Sequence, residues 1–482
     1  MGKEERYLKA VAIAIWGGAA VVAVWLTQRY NNESALALTG GFVLLASLML
    51  SRYALGLAFT SSPLLYLGLL GIFHFGLVVP WALGIYNLNR VSWFDPYGLS
   101  HGIRLVVYSV IAYQVGLLLS FGRGVSSSTR QAEGRIKLES SELFAVGLFL
   151  FLVAVSMFVA GLVSLDPSGY YRLTYSETFR LRAESDPRFF GSGMTIGSIA
   201  LCLAFAGASR LQLKIAFLCA GVWVLALFYL GFRGPALIAG LIACVLALKK
   251  GVTFPRWAPW VAVAILLVAV PVERVIREEP LNQRSFFSTL QNLNILDAPA
   301  EMGTSIRPLV ETADLIDATN YRFGRTYLIG VEGILPNLAL RWENSSTESL
   351  DNLPPSHWIT AVTDPWTYRT YGGMGFSAVA EPYMNFGPVG MIVFFLGIAF
   401  ILVRLEQVSF RNAYALAAWG LILGPLLWTT RNDFSNFFRP AIWGVACLVL
   451  VRMFSGGYSS IKEVWWRDEL RPKTQPREPR PA

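Results

Sequence analysis

The chain has 482 residues, of which 54% are hydrophobic and only 15% charged, and its net charge is +9. This composition excludes a soluble globular protein and points to an all-α, polytopic membrane protein. In so apolar a chain, the positive charge fits the basic bias of inward loops and contact with anionic membrane lipids, so no nucleic-acid partner is expected.

The first apolar run follows Lys3, Arg6 and Lys9, as a signal peptide would. Eleven more runs come after it, so it reads as an uncleaved anchor. The twelve expected spans are 8–28, 35–51, 62–86, 101–121, 142–164, 192–209, 214–232, 234–249, 257–273, 378–403, 412–429 and 436–453. Each is near the roughly 20 residues that cross hydrocarbon. They divide the chain into four parts: a nine-span region, 1–273, with an outward loop at 164–192; a large outward loop, 274–375; a three-span region, 376–454; and a basic, Pro-rich tail, 455–482. The four cysteines, Cys202, Cys219, Cys244 and Cys447, lie inside apolar runs. No disulfide framework or metal-ligand spacing results, and neither a metal nor a cofactor is expected.

An even span count puts both termini on one side, together with Arg123, Arg130, Arg135, Lys137, Arg210, Lys214, Lys249, Lys250, Arg404 and Arg411. That side is expected to be cytoplasmic. All eight lysines then face inward, and the outward side carries arginine alone. Arginine presents a planar fork that grips phosphate oxygens in pairs, whereas lysine is a point charge. Outward arginines are therefore candidates for phosphate recognition, beside the alternative of lipid-headgroup contact.

Within the large loop, Ser305–Thr319 and Thr326–Leu338 show helical apolar spacing and are expected as short surface helices. Trp342, Trp358 and Trp366 are candidates for stacking on sugars or for an interfacial belt. Gly231-Phe232-Arg233-Gly234-Pro235 places an arginine at a helix start, which suits either a phosphate seat or a tight turn with a snorkelling side chain. Thr429–Phe434 joins the last two spans, and Asp433 there has Arg431 and Arg439 as expected partners. Glu381 enters the tenth span beside Pro382, where a bend is expected. A carboxylate at that depth is either a base or the partner of an arginine. His357 is the reserve base; His74 sits in an apolar span and His101 at a span edge.

Gly231–Gly234, Phe323-Gly324-Arg325-Thr326-Tyr327 to Pro336, and Gly373-Met374-Gly375-Phe376-Ser377 through Glu381 and Tyr383 to Asn385-Phe386-Gly387 resemble the O-antigen polymerase (Wzy-type) repeat-unit polymerase family. The many spans, the two enlarged loops and the arginine bias extend the resemblance over most of the chain. It implies a helical membrane glycosyltransferase of GT-C-like architecture in the bacterial inner membrane, with its active site on the periplasmic face. The growing glycan on undecaprenyl pyrophosphate would be transferred to a hydroxyl of another lipid-linked repeat unit, without metal. A chain-length regulator and a flippase are implied partners. Arg180, Arg182, Arg233, Arg322, Arg325, Arg431, Arg439, Tyr327 and Tyr383 would bind the pyrophosphate and substrate, with Glu381 or His357 as base. An O-antigen ligase-like enzyme is the nearest alternative, and a transporter or flippase for lipid-linked glycans is the alternative of another class.

The charge pattern predicts sidedness. In a cysteine-free background, Ser346→Cys should be labelled from outside intact cells and Arg130→Cys should not. The opposite pattern would invert the topology.

Overall fold

A computed structural model describes residues 3–87, 98–122, 139–164, 176–177, 188–276, 294–316, 320–334 and 350–454. Among these residues the fold is entirely helical. The apolar helices are α1 (Lys3–Arg29), α2 (Glu33–Met49, continued by a wider turn over Leu50–Ala54), α3 (Ser62–Phe75), α4 (Val78–Ala82), α5 (Leu99–Gly122), α6 (Ser141–Ser164), α7 (Arg188–Gly207), α8 (Arg210–Tyr229), α9 (Arg233–Lys249) and α10 (Ala258–Ile276). Then come five short helices: α11 (Asp297–Met302), α12 (Ile306–Leu315), α13 (Arg325–Glu332), α14 (Pro355–Thr363) and α15 (Pro365–Tyr371). Three long ones come last among the described residues: α16 (Ala380–Ser409), α17 (Ala413–Trp428) and α18 (Ser435–Phe454). Among the described residues, seven helices are long and apolar enough to cross a membrane, and shorter apolar helices accompany them. The chain is a polytopic membrane protein.

The third expected span divides: α3 ends at Phe75 and α4 starts at Val78. The surface-helix expectations correspond to α12 and α13, while the stretch 335–338 lies outside the described residues. The bend expected at Glu381–Pro382 is instead at Gly387, whose φ of 67° and ψ of −164° break α16 just before Pro388. Pro382 falls in the first turn of α16, where a proline's missing N–H interrupts nothing.

Periodicity sorts core from lipid. In α8, Leu213, Ala216, Ala220, Trp223 and Leu227 are buried, while Leu211, Leu218, Val222, Leu225 and Tyr229 are exposed. Both faces are apolar, as a helix with lipid on one side requires. The α6–α7 pair is packed through small residues: a Cβ on Gly147 would lie 2.4 Å from the Ala204 backbone nitrogen, and one on Gly207 2.5 Å from that of Phe144. Close backbone approach replaces the hydrophobic drive that lipid surroundings remove.

At the end of the bundle opposite the large loop, Lys249 pairs with Glu406 while the two side chains are only 4% and 7% exposed. The other Glu406 oxygen accepts from the Ser62 amide (2.9 Å), the Ser62 hydroxyl (2.7 Å) and Trp419 Nε1 (3.2 Å). Lys249 also donates to Ser409 Oγ at 3.2 Å and lies over the Phe410 and Trp419 rings. The pair thereby ties together α3, α9, α16 and α17. Removing one member of a buried pair strands the other charge, at a cost of about 3–5 kcal/mol. Lys249→Met alone should therefore lower the melting temperature in detergent sharply. Lys249→Met with Glu406→Gln should recover most of the loss, because glutamine still accepts from Ser62 and Trp419.

Candidate active site at the loop end

Glu381 is in the first turn of α16 and fully buried. Its Oε1 accepts from the Thr326 hydroxyl at 2.8 Å, and its Oε2 from the Phe434 amide at 2.7 Å. Asn385, one turn on, donates to Thr326 Oγ1 (2.6 Å) and to the Glu381 carbonyl (2.9 Å), and accepts from the Gly324 amide (2.8 Å). The Arg322 and Phe323 amides donate to the Met384 and Asn385 carbonyls, both at 3.0 Å. The start of α13 is thus laced onto α16, and the turn between α17 and α18 is drawn to the same carboxylate. Among the described residues, no arginine is paired with Glu381.

Asp433, in that turn, is also fully buried. Its Oδ2 accepts from the Ser356 amide at 2.9 Å, and its Oδ1 from the Ser435 amide and hydroxyl and from Asn436 Nδ2. These bonds replace the expected pairing with Arg431 or Arg439. They bring the start of α14, and so His357, to the turn. Burial lowers the His357 pKa from its ordinary value, and the Asp433 charge opposes that shift. The imidazole edge meets the Tyr368 ring at 6.0 Å between centroids.

The glycine-rich segment 372–377, an irregular strand of chain that belongs to no sheet, runs between His357 and Arg431. A Cβ on Gly373 would lie 3.8 Å from His357 Cδ2, and one on Gly375 3.8 Å from the Arg431 side chain. Gly375 has φ +87°, a conformation other residues rarely adopt. Phe376 N donates to the Arg431 carbonyl at 2.7 Å, fixing the strand to the turn. The Arg431 guanidinium is 5.9 Å from the Phe73 ring centroid, and that of Arg322 5.1 Å from the Trp358 ring. Trp358 is buried, whereas Trp366 is exposed. Trp342 lies outside the described residues.

The other expected site residues are dispersed. Arg233 starts α9, is 8% exposed and is ion-paired with Glu301 of α11. Arg325 is exposed and donates to Asn352 Oδ1 at 2.7 Å. Arg439 donates to the Gly333 carbonyl at 2.6 Å and so caps the end of α13. Tyr327 stacks on Phe386 and meets Phe434 edge-on; burial raises its phenol pKa well above the ordinary range. Tyr383 is buried against His101 and Tyr321. Arg180 and Arg182 lie outside the described residues. Sequence reasoning did not find Thr326, Asn385 or Glu301 as partners. Glu301 had a weak signal, lying between Ala300 and Met302; Thr326 and Asn385 carried none beyond lying in the quoted motifs.

Between α7, α9, α17 and α18 lies a cavity of about 300 Å³, lined among others by Thr195, Ala239, Ile242, Leu246, Gly424 and Asn436. Its lining is largely apolar, with the few polar groups toward the loop end.

The family model for the O-antigen polysaccharide polymerase Wzy matches residues 18–460. The chain belongs to this family. This Wzy-family protein is therefore a membrane-embedded polysaccharide polymerase that acts on lipid-linked oligosaccharide repeat units. It is 21% identical over 357 residues to Protein CapE of Staphylococcus aureus, a match covering 73% of this chain and 74% of the relative. No solved structure matches the chain.

The Glu381 bonds predict a split between two substitutions. Glu381→Ala strands the buried Phe434 amide, at a cost of about 1–3 kcal/mol, and should lower the melting temperature. Glu381→Gln keeps an acceptor for that amide, and the Thr326 hydroxyl can rotate to accept, so it should melt close to the wild type.

Proposed function

We propose that the chain extends a glycan by moving it from a polyprenyl pyrophosphate, undecaprenyl pyrophosphate in a bacterium, to a hydroxyl of a second lipid-linked repeat unit. The reaction would take place on the periplasmic face of the inner membrane and need no metal ion or cofactor. The observation that carries this reading is the grouping of His357, Asp433 and Arg431 around the glycine strand. The strand lacks side chains at Gly372, Gly373 and Gly375, which allows a bulky glycan to approach the backbone.

The roles follow from chemistry. The leaving pyrophosphate gathers negative charge in the transition state, and fixed guanidinium groups at Arg431 and Arg322 would stabilise it. The acceptor hydroxyl must lose a proton as it attacks. We assign that proton to neutral His357, with Asp433 stabilising the imidazolium as it forms. Glu381 becomes the support of this assembly, because both of its oxygens are occupied and the group is fully buried. Arg233, already paired with Glu301, would hold the α9–α11 junction beside the lipid. The apolar cavity between α7, α9, α17 and α18 would seat part of a lipid tail, with its polar end toward the reacting groups.

Glycan ladders from cells expressing variants at matched levels test this reading. His357→Gln should reduce products to single repeats, a loss of about a hundredfold or more, while Glu381→Gln should keep a ladder. A normal ladder from His357→Gln would remove the histidine from the mechanism. The base is needed neutral, and burial lowers the His357 pKa. Activity should therefore persist as the pH falls through about 6.5, the ordinary histidine value, and fail only below it. Asp433→Asn removes the opposing charge and should move the acid limb lower still.

A further inference from the structure

His74 was unremarkable in the sequence, a histidine in an apolar helix. In the structure it is fully buried near the end of α3, in contact with the joint that leads into α16. Its Nδ1 lies 2.9 Å from the Leu70 carbonyl, and its Nε2 2.7 Å from Ser377 Oγ. A carbonyl only accepts, so Nδ1 carries the proton and the bare Nε2 accepts from the serine hydroxyl. With its hydrogen thus committed, Ser377 Oγ turns its lone pairs to the amides of Val379 (3.1 Å) and Ala380 (3.3 Å), which open α16. The Ser377 carbonyl accepts from the Glu381 amide at 3.3 Å.

We propose that His74 is a positioning residue: through Ser377 it fixes the joint between the glycine strand and α16, and so the placement of the strand between His357 and Arg431. A hydroxyl held by an imidazole is also the pattern of an activated nucleophile. Here both groups are fully buried, and the serine oxygen is engaged by two amides, so the pair works by holding position. The same end of α3 acts twice more. Phe73 underlies the Arg431 guanidinium. Gly76 and Leu77 touch α11 and the turn after it: a Cβ on Gly76 would lie 2.3 Å from the Pro299 carbonyl oxygen, and one on Gly303 2.1 Å from the Leu77 nitrogen. One helix end thus sets the strand, an arginine of the site and the helix that bears Glu301. A small shift of positioned groups costs a reaction about tenfold to a hundredfold.

The inference rests on the polymerase reading for its activity arm only. Four variants test it: His74→Leu, Ser377→Ala, the double variant, and His74→Gln, whose carbonyl can replace Nε2 as acceptor. Purified protein and lipid-linked repeats would give kcat and KM, and amide hydrogen exchange over residues 375–381 would be read on the same samples. His74→Leu and Ser377→Ala should each lower kcat at least about tenfold with little change in KM, and the double variant should be no worse than either. Exchange at 375–381 should rise in all three and return toward wild type in His74→Gln, together with kcat. Unchanged exchange in His74→Leu would overturn the inference whatever the activity. So would additive losses, or a kcat loss that His74→Gln shares while its exchange is normal. If exchange responds as stated but the wild type makes no polymer from these substrates, the polymerase mechanism fails and the positioning role stands.

Discussion

The assembly at the loop end depends on one buried carboxylate that meets no cationic partner among the described residues. Glu381 is held by a threonine hydroxyl and a backbone amide, contributed by segments more than fifty residues away on either side. A carboxylate can accept several hydrogen bonds at once, and in a low-dielectric setting each is stronger than it would be in water. Two such bonds join α13, α16 and the α17–α18 turn, and the rings of Tyr327, Phe386 and Phe434 pack beside them. Asn385 then makes the junction directional, because it donates on one side and accepts on the other.

A second buried acid works differently at the far end of the bundle. Glu406 faces Lys249 and also receives an amide, a hydroxyl and an indole N–H. The lysine offsets the charge, and the neutral donors fill the remaining acceptor capacity. The two acids lie on the same long helix. They anchor its two ends to different neighbours, so α16 is one of the helices, with α3 and α18, that couple the bundle to the loop region.

Much of the fold was legible in the sequence, because lipid leaves an α-helix few alternatives and long apolar runs declare themselves. The helices α12 and α13 were legible from apolar spacing. The position of the α16 bend was misread because the pre-proline rule acts on residue 381 only if a helix already surrounds it; here the helix starts one residue earlier, and Gly387 was the stronger signal. The candidate site was legible as a neighbourhood: Glu381, His357 and Arg431 all contact the glycine-rich segment. Their hydrogen-bond partners were not legible, because a carboxylate in an apolar stretch looks the same whether it faces a substrate or a threonine. Arg233 met a carboxylate that sits about seventy positions along the chain, and spacing cannot reveal such a pairing. His74 was passed over because its partner is three hundred residues away.

The break at Gly387 also bears on how the chain is assembled during synthesis. Beyond Pro388, α16 continues to Ser409, which is about the length the hydrocarbon layer needs. The insertion machinery can therefore accept this stretch as an ordinary apolar span, with the Glu381 turn left outside it. The carboxylate meets Thr326, which has already emerged, but Phe434 follows only after α17 has been made. The loop region thus cannot complete its contacts to Glu381 until the last pair of helices is in place, so a chain stalled before α18 would lack the Phe434 bond at this end of the bundle.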